Sequence, residues 1–231
     1  NGEPIILDDE NQLIDGQHRL WAIVKSETTI ESMVTRGVDR KGFASIDTGA
    51  ARTLANVLGI VGEKYAAAMA AALSWTHRHD LGKMFMSSKA AGFSHQVGLQ
   101  LIRKYPEIRD SAEEVYRMSS KSEILKGVSS STMIFLHHRF STHSKEKAVE
   151  FFETLGDIRF DSAGTPTRIL RDQLLRIRSE VRSGGGSATP SLEVMAFFIK
   201  AWSDFLVGRK PGRAYQWRRS GQYPEDFPKF P

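Results

Sequence analysis

The sequence predicts an α+β protein: a small N-terminal α/β portion over residues 1–60, then a larger all-helical domain over residues 61–231 with a basic C-terminal tail. Three observations carry this reading. Strand-like runs occur only in the first forty residues. Beyond about residue 60, apolar residues recur at three- and four-residue intervals, broken by Gly and Pro. Hydrophobic residues make up 40% of the 231, which is ordinary for a globular chain and enough for a sizeable core.

Pro4-Ile5-Ile6-Leu7 and Gln12-Leu13-Ile14 flank the polar turn Asp8-Asp9-Glu10-Asn11, so they read as two strands. Asp15 is a suitable N-cap, Gly16 permits an unusual dihedral, and Leu20, Ile23 and Val24 repeat at helical spacing. A helix is therefore expected from about Gln17 to Ser26. Thr28–Val38 is rich in β-branched residues and reads as a further strand. A short helix near 39–45 leads to Ile46-Asp47-Thr48-Gly49, where Asp47 or Thr48 should cap a helix carrying Arg52, Leu54, Val57 and Leu58. The chain opens without Met and inside a strand, so one or more preceding strands are expected to be missing.

The helical part begins with the Ala-rich stretch 63–79, Ala being the best helix former. Further helices are expected at 94–105, stopped by Pro106, and at 107–118, 130–142 and 145–155, the last ending at Gly156. Thr165-Pro166 and Thr189-Pro190 each place Pro at a first helical position and should open helices over 166–182 and 190–207. Ser183-Gly184-Gly185-Gly186-Ser187 is a linker, and the tail from Gly208 is irregular, basic and aromatic.

Composition narrows the function classes. No run approaches the roughly 18 apolar residues of a membrane span. The absence of Cys removes disulfides, zinc ribbons and thiol catalysis, and fits a cytoplasmic setting. The net charge of +5 is compatible with nucleic acid or nucleotides.

The chemistry concentrates in Asp15-Gly16-Gln17-His18-Arg19-Leu20. A strand handing over to a helix leaves the first-turn amides and the positive end of the helix dipole facing outward, a natural anion site. Arg19 adds a permanent fork of donors and His18 a titratable group. The bland alternative pairs Arg19 with a carboxylate such as Asp47 and makes His18 a packed polar residue. Asp15 either faces away as a cap or holds a metal ion bridging to phosphate.

This stretch resembles the signature of the ParB/sulfiredoxin superfamily, above all its DGQHR-type, DndB-like branch. Ile46-Asp47-Thr48-Gly49, Arg52-Thr53, Val57-Leu58, the late Ala201-Trp202 and the closing Phe227-Pro228 are further similar to ParB-like proteins of phages and mobile elements. The superfamily motif itself covers about residues 1–60. Sulfiredoxins carry a catalytic Cys where this chain has Gln17, so sulfinic-acid reduction is excluded. No clear match to the second, Arg-containing nucleotide motif of ParB clamps occurs downstream.

The resemblance implies a ParB-like nucleotide- and/or DNA-binding protein. Phosphate would be held at Gly16, Gln17, His18 and Arg19, with Asp47, Thr48 and Arg52 as a second contact and a helical body on DNA. A nucleoside triphosphate with Mg²⁺ is the expected cofactor and DNA the expected partner; no membrane partner is expected, and a homodimer stays open. An enzymatic alternative is a metal-dependent nuclease or nucleoside triphosphatase, with metal at Asp15 or Asp47, His18 as acid or base and Arg19 stabilising developing charge. A third reading is an interaction protein with a vestigial pocket.

Two further features suit nucleic acid. At about 100° per residue, Arg168, Arg171, Arg178 and Arg182 share one sector of their helix, while Ile169, Leu170, Leu174, Ile177 and Val181 face a core. The row is either a phosphate-facing stripe or a solvated face. In the tail, Arg213 and Arg218 interleave with Tyr215 and Trp217: either charge plus base stacking, or aromatics pinning the tail to the body. His77 and His79 lie two apart on a helix and His137-His138 lack a carboxylate set, so no metal site is expected. Met195, Phe198, Trp202 and Leu206 at helical spacing read as core.

Overall fold

In the computed structural model, residues 4–40, 53–157, 159, 162–182, 191–220, 222 and 224–231 are described; for 181 and 182 this concerns the backbone alone. The chain divides into two compact units, Asn1–Ala66 and Ala67–Pro231. The first carries a three-stranded mixed sheet and the second is helical, so the fold is α+β.

In the first unit, β1 (Ile5–Leu7) pairs antiparallel with β2 (Leu13–Asp15), with Ile6 opposite Asp15 and Leu7 opposite Leu13. The turn between them is built by Asp8, which is 4% exposed. Its Oδ1 accepts the amides of Glu10 at 3.0 Å and Gln12 at 2.7 Å, while Arg40 lies 3.2 Å from the other oxygen. Helix α1 (Gln17–Ser26) follows β2, and β3 (Val34–Thr35) then joins the far edge parallel to β1. The sheet order is β2-β1-β3. The β-branched run 28–38 yields only these two ladder residues, so β3 is much shorter than predicted. Residues 28–33 have strand propensity but no ladder, because propensity alone cannot supply a pairing partner.

Helix α2 (Leu54–Ile60) buries Leu54, Val57 and Leu58. Its N-cap is Thr53, whose hydroxyl accepts from Asn56 N–H at 3.3 Å. This corrects the expectation that Asp47 or Thr48 caps it, and the helix begins beyond Arg52. Asp47, Thr48, Arg52 and most of the helix expected near 39–45 lie outside the described residues.

The helical unit comprises α3 (Ala66–Asp80), α4 (His95–Lys104), α5 (Ile108–Lys121), α6 (Glu123–Lys126), α7 (Ser130–His143), α8 (Lys145–Gly156), α9 (Pro166–Arg182) and α10 (Ser191–Leu206). Their starts follow local capping chemistry: Ser94, Ser122 and Ser144 each accept an amide three residues on. Helix α7 runs through the centre, packed against α5, α8 and α10. Phe140 stacks on Trp202 at 4.5 Å and 7°, with Phe151 edge-on to Trp202 at 5.5 Å. Met195, Phe198 and Trp202 are fully buried, as their spacing predicts, while Leu206 of the same row is only half-buried. No described helix is long and apolar enough to cross a membrane.

The tail has no regular structure but is anchored. Tyr215 and Trp217 are 7% and 6% exposed, Lys200 donates to Gln216 O, and Trp217 Nε1 donates to Asp226 O at 3.0 Å. The aromatics therefore pin the tail to the helices, the structural alternative of the two read from the sequence.

Candidate functional site

The hand-over from β2 to α1 is set by Gly16. It is the N-cap residue, with φ +100° and ψ 6°, a conformation that L side chains rarely adopt. A Cβ there would also sit 3.2 Å from Ile5 Cγ1 and 3.3 Å from Ile5 Cα. Both constraints demand glycine. Asp15 is correspondingly the last residue of β2 and not the cap. That is a correction: the N-cap residue of α1 makes no side-chain cap hydrogen bond, because it is glycine.

The consequence is electrostatic. The first helical bond runs from Leu20 N–H to Gly16 O at 2.9 Å. The amides of Gln17, His18 and Arg19 lie ahead of it, where a helix directs its N–H groups and positive dipole end outward. Gln17 and His18 are exposed and Arg19 is partly exposed, so the structure keeps Gly16, Gln17, His18 and Arg19 together at one corner. No residue of α1 is buried. An open apolar groove of about 500 Å³ continues from Gln17 along Leu13, Leu20, Trp21 and Val24. Trp21 is 61% and Val24 70% exposed, although the helical repeat predicts Val24 on a packed face.

The arginine row of α9 does not survive as a stripe. Arg171 is fully buried: its Nε donates to Leu155 O at 2.9 Å, and its Nη2 donates to Thr154 O and Asp157 O. It closes the C-terminal end of α8, where carbonyls lack intrahelical partners. This corrects its assignment to a DNA-facing surface, since the side chain is spent inside the unit. Arg168 pairs with Asp172 at 3.1 Å, and Arg178 donates to Glu123 O beside its carboxylate. Arg182 ends the helix. In the tail, Arg213 is exposed, and Arg218 lies 3.6 Å from Glu225.

Two histidines of α7, His137 and His138, are core residues, whereas His143 at its end is exposed. His137 and His138 are 6% and 1% exposed, and burial pushes both down to about 4. Among the described residues no group of three or more His, Asp or Glu side chains is placed to hold a metal ion. Asp80 lies at the end of α3, where it accepts from Tyr105 Oη at 2.8 Å and from Arg139. The Tyr105 hydroxyl and the Arg139 guanidinium draw its carboxyl below the ordinary carboxylate range against the opposing effect of burial. Sequence reasoning singled out neither Tyr105 nor Arg139, because their partner lies 25 and 59 residues away.

No protein-family model matches the chain, and neither a curated protein nor a solved structure matches it. The class that fold and site define is an α+β protein whose first helix starts behind a left-handed glycine at a strand–helix turn.

Proposed function

We propose that the protein is a cytoplasmic ParB-like phosphate-binding protein. It takes a nucleotide, carried as a nucleoside triphosphate with Mg²⁺, at Gly16–Arg19 and uses its helical unit on DNA. The observation that supports this most is the start of α1 behind left-handed Gly16, an N-cap residue without a side chain. A helix start directs its first amides and its positive dipole end away from the helix, and His18 and Arg19 stand in that same turn. Apolar Leu20 and Trp21 continue from that corner and suit the organic part of such a ligand. On the helical unit, the side chains that fit a DNA backbone are Arg213 and Arg218 of the tail with Arg168, and no longer Arg171.

Titration calorimetry with ATP, CTP and GTP, each with and without Mg²⁺, tests the nucleotide part. Binding is expected for at least one, with an affinity loss of about tenfold in Arg19→Ala, the scale of one charge-assisted contact. No heat from any of them would refute the nucleotide reading. DNA affinity measured across a salt series is expected to fall with rising salt. An affinity unchanged in an Arg213→Ala/Arg218→Ala variant would refute the tail contact.

A further inference from the structure

Trp217 of the tail is buried, but it is the inner ring of a stack whose outer ring comes from elsewhere in the helical unit. Phe85, in the loop after α3, lies against it with ring centroids 6.0 Å apart and planes 15° from parallel. Phe227 stands edge-on to both, 6.4 Å from Phe85 and 5.6 Å from Trp217. The hydrogen bond from Trp217 Nε1 to Asp226 O fixes the inner ring, and buried Met84 roots the loop.

Phe85 itself stays 46% exposed, and Leu81 and Met86 of the same loop are exposed beside it. A single exposed apolar side chain is ordinary. An aromatic ring braced on its inner side and open to water is a preformed stacking surface, which gives up little freedom when something binds to it. Sequence reasoning weighed base stacking on Tyr215 and Trp217 and passed over Phe85, because the contact that joins Phe85 to the tail spans more than a hundred residues.

The same stack joins two stretches that carry no acid. The chain has 27 Asp and Glu residues, yet none falls within 81–106 or within 205–224. The first stretch brings Lys83 and Lys89, each within four residues of Phe85, and the second brings Arg218 and Arg219 next to Trp217. The Arg219 guanidinium lies over the Phe85 ring, 5.7 Å from its centroid. Lys83, Lys89 and Arg219 are exposed and have no acidic partner among the described residues, whereas Arg218 lies 3.6 Å from Glu225. Of the carboxylates next to Phe227, Glu225 is also held by Lys200 at 2.7 Å, and Asp226 is exposed. The balance around the open ring is positive, which suits a polyanion.

Resting on the DNA reading of the helical unit, we propose that this face binds single-stranded DNA: an unpaired base stacks on Phe85, and Lys83, Lys89 and Arg219 take the flanking phosphates. A phenyl ring carries no hydrogen-bond code, so what it recognises is the π-face of a base. In a duplex that face is covered by the neighbouring base pairs, and only an unpaired strand presents it to a protein surface. Anionic lipid would favour apolar side chains free to enter the bilayer, whereas Phe85 is held by its stack and has a cation over its ring.

The test is fluorescence anisotropy on the full chain with labelled oligothymidine, a DNA duplex and oligouridine of equal length, beside sedimentation with phosphatidylserine vesicles. Oligothymidine is expected to bind more tightly than the duplex at equal salt. Phe85→Leu keeps an apolar side chain on Trp217 but removes the ring, and should cut oligothymidine affinity at least fivefold while duplex affinity stays unchanged. Phe85→Tyr should restore it, and Lys83→Ala/Arg219→Ala should flatten its salt dependence. An oligothymidine affinity unchanged in Phe85→Leu with native melting would overturn the proposal. So would tighter binding of oligouridine, or Phe85-dependent binding to the vesicles without oligothymidine binding. Duplex binding without oligothymidine binding would overturn it and leave the DNA reading standing, whereas binding of neither would refute both.

Discussion

The Gln173 carboxamide pairs with both main-chain groups of Tyr215: its Oε1 accepts the Tyr215 amide at 2.9 Å and its Nε2 donates to the Tyr215 carbonyl at 2.9 Å. One buried side chain of α9 therefore does for the tail what a neighbouring strand would do in a sheet. The tail is thereby held at Tyr215 without a ladder.

Replacing Gln173 by Leu should release this anchor. The Tyr215 amide and carbonyl would be left buried without partners, which costs about 1–3 kcal/mol per group. The expected outcome is a fall in the urea midpoint, a red shift of Trp217 fluorescence and faster proteolysis within residues 208–231. A variant with native proteolysis would show that the tail is held by its aromatic contacts alone.

Gly16→Ala introduces a side chain at φ +100°, which costs about 1–2 kcal/mol, and forces Ile5 aside. Amide exchange in β1 and β2 should accelerate while the helical unit keeps its melting behaviour. Nucleotide affinity should fall together with that protection.

Arg171→Met removes the donor to three carbonyls at the end of α8. A loss of about 3 kcal/mol or more is expected in chemical denaturation. DNA affinity of the folded variant should equal that of the unchanged chain. A selective loss of DNA affinity at unchanged stability would restore Arg171 to the DNA-facing surface.

Acid should unfold the helical unit through His137 and His138. Both are lowered by burial to about 4 from an ordinary value of 6.5, so the unfolded chain takes up protons at a higher pH than the folded one. Their contribution is fully present above pH 6.5 and is lost as the pH falls from there toward 4. At about 1.4 kcal/mol per pH unit for each group, several kcal/mol disappear over that window. Urea midpoints from pH 7.5 to 4.5 should fall steeply, and His137→Gln/His138→Gln should flatten the curve.

How much could be read in advance divides along one line. The α1 range Gln17–Ser26, the α9 range Pro166–Arg182 and the start of α8 were legible, because cap residues, Pro at a first position and helical spacing all act within a few residues. The DGQHR corner was legible for the same reason, down to the need for Gly16. The cap itself was misread because Asp15 has the right chemistry but is bound into β2, opposite Ile6.

The sequence by itself determined most of the helical segments and where several of them begin, though not α6 or the Thr53 start of α2, and that four consecutive residues share one strand–helix turn. The tertiary structure alone decided what those helices face. Arg171 shares a sector with Arg168 and Arg178, yet it is buried because the end of α8, sixteen residues earlier, presents carbonyls that need a donor. Gln173 and Tyr215, 42 residues apart, meet by the same logic. Helix periodicity fixes an angle around an axis. Whether that angle points to water or to another chain segment's unmet hydrogen bonds is set by packing between residues distant in sequence.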